Sequence, residues 1–160
     1  MSMHKYESDI KHIPYSVETV HNVLSDLTNL NKLTALLDNA DTLAKIEEQV
    51  GSDNAAKARA TLDSMKTTTD SAMFTAPMVG NVTLKIVERE EPKLVKYETK
   101  GLPVSSCLWI QTIPDGKGCK MKITAGADVN FLFKSMADKY LSPGVNRMAD
   151  ILASLPYDQI

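Results

Sequence analysis

From position 3 the chain alternates, with Tyr6, Ser8 and Ile10 on one side and Lys5, Glu7, Asp9 and Lys11 on the other. A period of two marks a half-buried strand, so residues 3 to 13 read as strand one. Pro14-Tyr15-Ser16 ends the alternation. Ser16 can cap a following helix, and Glu18 sits in the first turn, where the helix dipole favours an anion. Val20, Val23, Leu24 and Leu27 recur at helical spacing, and a second short helix with Leu30, Leu33, Leu36 and Leu37 runs on after Thr28 or Asn29. Residues 41 to 66 read as a helical insert in two pieces. DTLAKIEEQV runs from Thr42 and is ended by Gly51; SDNAAKARATLDSM is alanine-rich and capped by Ser52 or Asp53. Their apolar stripes, Leu43, Ile46 and Val50, then Ala55, Ala58, Leu62 and Met65, are thin, which places the insert at the surface.

From Thr67 the period returns to two. TTTDSAMFTAP reads as a strand; NVTLKIVERE alternates Val82, Leu84 and Ile86 against Thr83 and Lys85; KLVKYETK, after the turn at Glu91-Pro92, alternates Val95, Tyr97 and Thr99 against Lys96 and Glu98. VSSCLWIQTI and CKMKITAGADV flank the turn cluster Pro114-Asp115-Gly116-Lys117-Gly118. In the second of these Met121, Ile123, Ala125, Ala127 and Val129 face one way, and Lys120, Lys122, Thr124 and Asp128 the other. Short turns between successive strands imply an antiparallel meander, with about six to seven strands in all. Its apolar face needs a cover, and the terminal stretch VNFLFKSMADKYLSPGVNRMADILASL is the element long enough to supply one.

Stepped at about 100° per residue from Phe133, that stretch places Met136, Ala137, Tyr140, Leu141, Gly144, Val145, Met148, Ile151, Leu152 and Leu155 within roughly half the circumference. The stripe passes through Pro143-Gly144 without a phase slip, and Pro143 falls on the opposite face with Lys139, Asn146 and Asp150. One helix, bent where the proline meets water, fits this pattern. The competing reading is a break with Ser142 as N-cap and Pro143 opening a new helix; unbroken phase favours the single helix. A bend there makes Pro143-Gly144 a candidate hinge.

The 160 residues fit a single domain spanning 1–160, large enough for a core without disulfides or metals. Hydrophobic residues at 43% and charged residues at 24% are ordinary for a globular protein. A net charge of -2, with lysines spread along the chain, excludes the basic stripe of a nucleic-acid partner. MSMHKYESDI lacks the apolar run of a secretory signal, and no window approaches a spanning helix, so the expected setting is the cytoplasm with no membrane span.

Candidate chemistry is sparse. Cys107 and Cys119 lie on neighbouring strands, one beside the hairpin turn and one well up the other strand, too far apart for a bridge. His4, His12 and His21 show no HxxxH or HxH pairing, so no metal is expected and no cofactor is called for. Glu88, Glu90 and Glu91 end a strand before a proline turn, as solvated turn residues do. Gly116 and Gly118 belong to a hairpin turn; no helix follows them to form a phosphate loop.

A strand, two short helices, an antiparallel sheet and a long terminal helix is the order of the helix-grip fold. The chain resembles the START-like, or SRPBCC, superfamily, in YESDIKHIPYSVETVHNVLSDLTNL at 6 to 30, PMVGNVTLKIVEREEPKLVKYET at 77 to 99 and LWIQTIP at 108 to 114. It is most similar to small, single-domain bacterial members of unassigned function, with residues 41 to 66 as an insertion. The resemblance implies an α+β fold: a curved antiparallel sheet wrapped on the C-terminal helix, with a usually apolar cavity between them. A polyketide-cyclase-like or lipid-binding role follows, holding an apolar or amphipathic ligand. No catalytic signature of the family carries over to particular residues, and one such scaffold hosts many activities.

Within such a cavity the expected ligand-binding residues are Tyr6, Tyr97, Trp109, Met121, Phe133, Met136, Tyr140 and Met148. The aromatics offer flat surfaces with polar tips, and the methionines, with Met73 and Met78, offer adaptable ones; packing in the core is the competing role for all of them. The face of Trp109 depends on the register of the 115–118 turn. Two alternatives stand beside binding. A cyclase, aromatase or dehydratase would need an ionisable group in the cavity, such as His12 or Asp128 near Tyr97. An Hsp90-activator-like interaction module would need an outward apolar patch, for which the alanine-rich insert is the candidate. Oligomeric state and ligand identity have no signal in the sequence.

Overall fold

The computed structural model describes residues 3–76, 80–102 and 105–160, without the side chains at positions 49, 50, 76, 133 and 140. The strands are β1 (Met3–Glu7), β2 (Lys11–Ile13), β3 (Lys66–Thr67), β4 (Ser71–Ala76), β5 (Gly80–Glu90), β6 (Leu94–Lys100), β7 (Ser106–Asp115) and β8 (Gly118–Asp128). The helices are α1 (Val17–Leu24), α2 (Asn29–Leu36), α3 (Ala40–Val50), α4 (Ser52–Asp63) and α5 (Phe131–Ala153), followed by one 3-10 turn at Tyr157–Gln159. All strand pairs are antiparallel, in the order β1-β8-β7-β6-β5-β4-β3, with β2 continuing alongside β8. This is the helix-grip arrangement, a curved sheet holding a long terminal helix. No helix among the described residues is long and apolar enough to cross a membrane.

Strand one departs from its pattern, which helps bring the strands among the described residues to eight. Glu7 pairs with Thr124 and Lys11 with Met121, so three residues on the first strand face two on β8, a bulge. Ser8 holds it: its backbone N–H donates to the Ile123 carbonyl at 2.8 Å, and its hydroxyl accepts from the Ile123 N–H at 2.9 Å. The extra residue shifts the phase by one. Ile10, expected inward beside Tyr6, is 66% exposed, and Ile13 is fully buried instead. The two-residue β3, ahead of β4, accounts for the remaining strand.

The first helix is capped as expected, with the Ser16 hydroxyl accepting from the Thr19 N–H at 3.2 Å. Gly51, at φ +88°, ends α3 and serves as the N-cap of α4, so Ser52 is the first helical residue rather than the cap. The insert carries a small core of its own from Leu37, Ile46 and Ala55, with Leu43 and Leu62 against it.

Residues 131–153 form one helix with Pro143 inside it and exposed. Its buried stripe is rotated from the expected one. Val145 and Ala149 are 3% and 0% exposed, whereas Met136 is 57% exposed. At about 100° per residue the deepest line, through Val145 and Ala149, lies roughly 110° from the centre of the apolar stripe. Polar ties to the first strand account for the rotation. The Tyr6 hydroxyl donates to Asp138 at 2.6 Å, the Asp9 N–H donates to the Asn146 side-chain oxygen at 2.9 Å, and Lys11 pairs with Asp150 at 2.6 Å. They seat α5 over β1, β2 and β8, at one side of the sheet rather than across its middle.

Candidate functional site: an apolar cavity beneath α1, α2 and α5

Because α5 is drawn to one side, α1 and α2 complete the cover, and an apolar space of about 490 Å³ remains beneath them. The strand facing it explains why the space exists. Inward residues of β8 run Cys119, Met121, Ile123, Ala125, Ala127; the first three are 0–1% exposed and fill the core. The next two are alanines, and both line the cavity with Gly126. The two inward alanines leave a low floor that no neighbour fills, and Gly126 between them turns its open side to the outer face. Phe74, Leu84, Leu108 and Ile110 extend that floor, while Leu27, Leu30 and Leu33 on one side and Leu141, Met148 and Leu152 on the other form the roof.

Polar groups in the wall are few and already engaged. The Tyr97 hydroxyl donates to the Leu24 carbonyl, the Asn29 amide donates to the Val23 carbonyl at 3.0 Å, and the Thr99 and Ser106 hydroxyls bond each other. Asp26 accepts from the Thr28 N–H at 2.9 Å and from its hydroxyl at 2.6 Å. Burial pushes the Tyr97 hydroxyl far above the ordinary tyrosine range and raises the Cys107 thiol as well. Among the described residues no histidine, lysine or arginine lines the space, and no group of His, Cys, Asp and Glu is placed to hold a metal ion.

Of the eight residues expected to bind a ligand, Tyr97 and Met148 line the cavity. The side chains of Phe133 and Tyr140 lie outside the described residues, as does Met78. The other four sit elsewhere, for identifiable reasons. Met121 is 1% exposed in the filled part of the core. Met136 is displaced outward by the rotation of α5. Tyr6 faces inward but spends its hydroxyl on Asp138; burial, reinforced by that bond, pushes its pKa up to about 12. Trp109 lies on the outer face: Asp115 pairs with Gly118, which fixes the register, and Lys5 and Lys96 sit 5.1 and 5.3 Å from its ring centre. It packs there over Gly126, where an added Cβ would meet Met3 and Trp109 within 3 Å.

His12 is also on the outside, 3.0 Å from Asp115 and more than half exposed, so it does not approach Tyr97. Asp128 is absent from the cavity wall. His21 is buried, and burial lowers its pKa against the opposing pull of Glu91. Cys107 and Cys119 are both free and buried. The leucines of α1 and α2 and the Ala-Gly-Ala of β8 were not singled out from the sequence as site residues. The signal that marks the floor is alanine at two successive inward positions, 125 and 127, of a strand that is otherwise bulky there.

The family profile described as polyketide cyclase / dehydrase and lipid transport matches residues 3–155. No curated protein matches the chain. Among solved structures, the chain is similar to norcoclaurine synthase from Thalictrum flavum, solved with dopamine and hydroxybenzaldehyde: TM-score 0.66, 14% identity, 98% of this chain and 88% of the other covered. A Thermobifida fusca protein solved by NMR gives TM-score 0.59 at 12% identity, over 92% of this chain and 90% of that one. A Rhizobium loti protein gives 0.51 at 11%, over 97% and 100%. At such identities the likeness is one of fold. Together with the profile, which spans nearly the whole chain, it assigns the protein: it belongs to the polyketide cyclase / dehydrase and lipid-transport family of the START-like, or SRPBCC, superfamily.

Proposed function

We propose that this protein holds one small apolar or amphipathic molecule, lipid- or polyketide-like, in the cavity beneath α1, α2 and α5. The observation that carries this is the cavity itself. Its volume of about 490 Å³ lies in the range of about 300–1,000 Å³ usual for small-molecule sites, and its wall is predominantly apolar. A protein of this size gains stability by filling such a space with its own side chains, so the alanines that keep it open suit a ligand-holding role. Binding would rest on shape and on removal of apolar surface from water, with Tyr97 contributing its ring and Met148, 39% exposed, standing at an edge of the space.

A cyclase or dehydratase role on the same fold has less support. The ionisable groups of the wall are Asp26, Tyr97 and Cys107. Tyr97 is committed to the Leu24 carbonyl, and the Cys107 sulfur lies 3.6 Å from that of Met3. An interaction role for the insert is likewise less supported, because Ala55 turns inward against Leu37 and Ile46. Native mass spectrometry of protein purified under mild conditions, with displacement of a solvatochromic dye, tests the binding reading. A one-to-one adduct and displaceable dye are expected; a ligand-free protein that takes up no dye would end it.

A further inference from the structure

Large apolar side chains stand in solvent along one face of α5. Phe131, the first residue of the helix, is 83% exposed, Leu132 is 70% exposed, and Met136 stands out one turn further on. Single exposed apolar side chains are ordinary, whereas neighbouring ones on one element mark a contact surface. At about 100° per residue Leu132, Met136, Lys139, Pro143 and Arg147 fall within about 80° of one another, roughly opposite the buried Val145 and Ala149. All five are exposed, and they form a ridge about 22 Å long. Charge follows the same division. The helix carries Lys134, Lys139 and Arg147 against two carboxylates, in a chain whose net charge is -2. Both carboxylates are engaged: Asp138 by Tyr6 and by Lys134 at 2.9 Å, and Asp150, at the far end of the ridge, by Lys11 at 2.6 Å.

We infer that this face of α5 docks on an anionic bilayer surface, with Phe131, Leu132 and Met136 entering the headgroup boundary and Lys139 and Arg147 meeting the lipid phosphates. Apolar side chains gain by leaving water for the acyl boundary, and long cationic side chains lay their stems along it while their heads reach the phosphates. Each cation near such a surface strengthens binding about fivefold. A second copy of the chain fits the face less well, because a symmetric contact sets the same cations against each other and brings no unengaged carboxylate of α5 to meet them. Docking also brings the cavity to the lipid, since Leu141 and Met148 of the same helix line it and Met148 is exposed at its edge.

Co-flotation tests this with vesicles of phosphatidylcholine alone and of phosphatidylcholine with one third phosphatidylglycerol, at low and at high salt. The natural chain should float with the anionic vesicles at low salt and leave them at high salt, and it should partition about tenfold or more weakly onto phosphatidylcholine. Leu132→Gln with Met136→Gln, and separately Lys139→Gln with Arg147→Gln, should each lower partitioning about tenfold or more; glutamine suits an exposed helix position, so the fold is kept. Ile113→Gln with Lys120→Gln, an exposed apolar and cationic pair on the outer face of the sheet, is the control and should change nothing. Dye uptake should survive in every variant, because none of these residues lines the cavity. A protein that docks but takes up no dye therefore loses the binding reading alone. Absence of flotation with anionic vesicles, or flotation that either α5 variant retains in full, would overturn docking. Dimerisation abolished by the same α5 substitutions would overturn it too, by giving the face to a second copy.

Discussion

Replacing Ala125 by leucine separates a cavity from a merely loose core, because it should raise stability and abolish binding together. Ala125 sits between Tyr6 on β1 and Leu108 on β7, and it is partly exposed although its strand neighbour Ile123 is at 0%. That exposure is to the cavity. Leucine adds three carbons, worth about 2.4 kcal/mol at roughly 0.8 kcal/mol per buried methylene. Fixing the longer side chain costs about 0.5–1 kcal/mol, so the net gain is about 1.5 kcal/mol. For a chain of this length the midpoint of thermal unfolding should rise by about 3–6 °C. Urea titration gives the free energy, and dye uptake should fall below detection. Ala149→Leu is the internal control. Ala149 is 0% exposed where α5 meets the sheet, so the same added carbons should overpack the contact and cost about 1–3 kcal/mol. If Ala125→Leu destabilises the protein as much as Ala149→Leu, and the dye still binds, the space above Ala125 is not the ligand's.

Three further outcomes follow from particular contacts. The ties at Asp138, Asn146 and Asp150 grip α5 on both sides of Pro143, whereas α2 buries none of its residues fully, so α2 is the movable wall. Pro143→Ala with Gly144→Ala should therefore leave ligand exchange rates unchanged, and amide exchange should be faster in α2 than in α5; slower ligand exchange in the double variant would restore the terminal helix as the gate. Tyr97→Phe should cost about 1–2 kcal/mol in urea titration by stranding the Leu24 carbonyl, with dye affinity retained because the hydroxyl points away from the ligand; lost affinity would contradict that placement. His21 is favoured neutral in the folded chain, so its contribution is fully present above the ordinary histidine pKa of about 6.5 and declines as pH falls below it. Thermal scans should show His21→Gln losing less stability than the natural chain between about pH 6.5 and pH 5, and equal losses would refute the assignment.

The fold was legible because its main signals are local. Period-two runs on β5 to β8, the Ser16 cap and Gly51 at the end of α3 are each settled within a few residues, and each stands where its pattern put it. What the pattern missed lay in register and rotation, which neighbours decide. One extra residue at Ser8 reverses the facing of Ile10 and Ile13, and nothing in KYESDIKHI announces it, since the bulge is held by the backbone of Ile123 far along the chain. The stripe on α5 is likewise real, but polar ties to the first strand turn it, so Ala149 lies deeper than Met136.

The site was less legible for a different reason. Hydrophobic periodicity reports where large side chains point, whereas a cavity is a place where they are missing. Of the aromatics and methionines, Trp109 lies under two lysines on the outer face and Met121 fills core. The informative residues were Ala125 and Ala127, whose small size decides what lies above them.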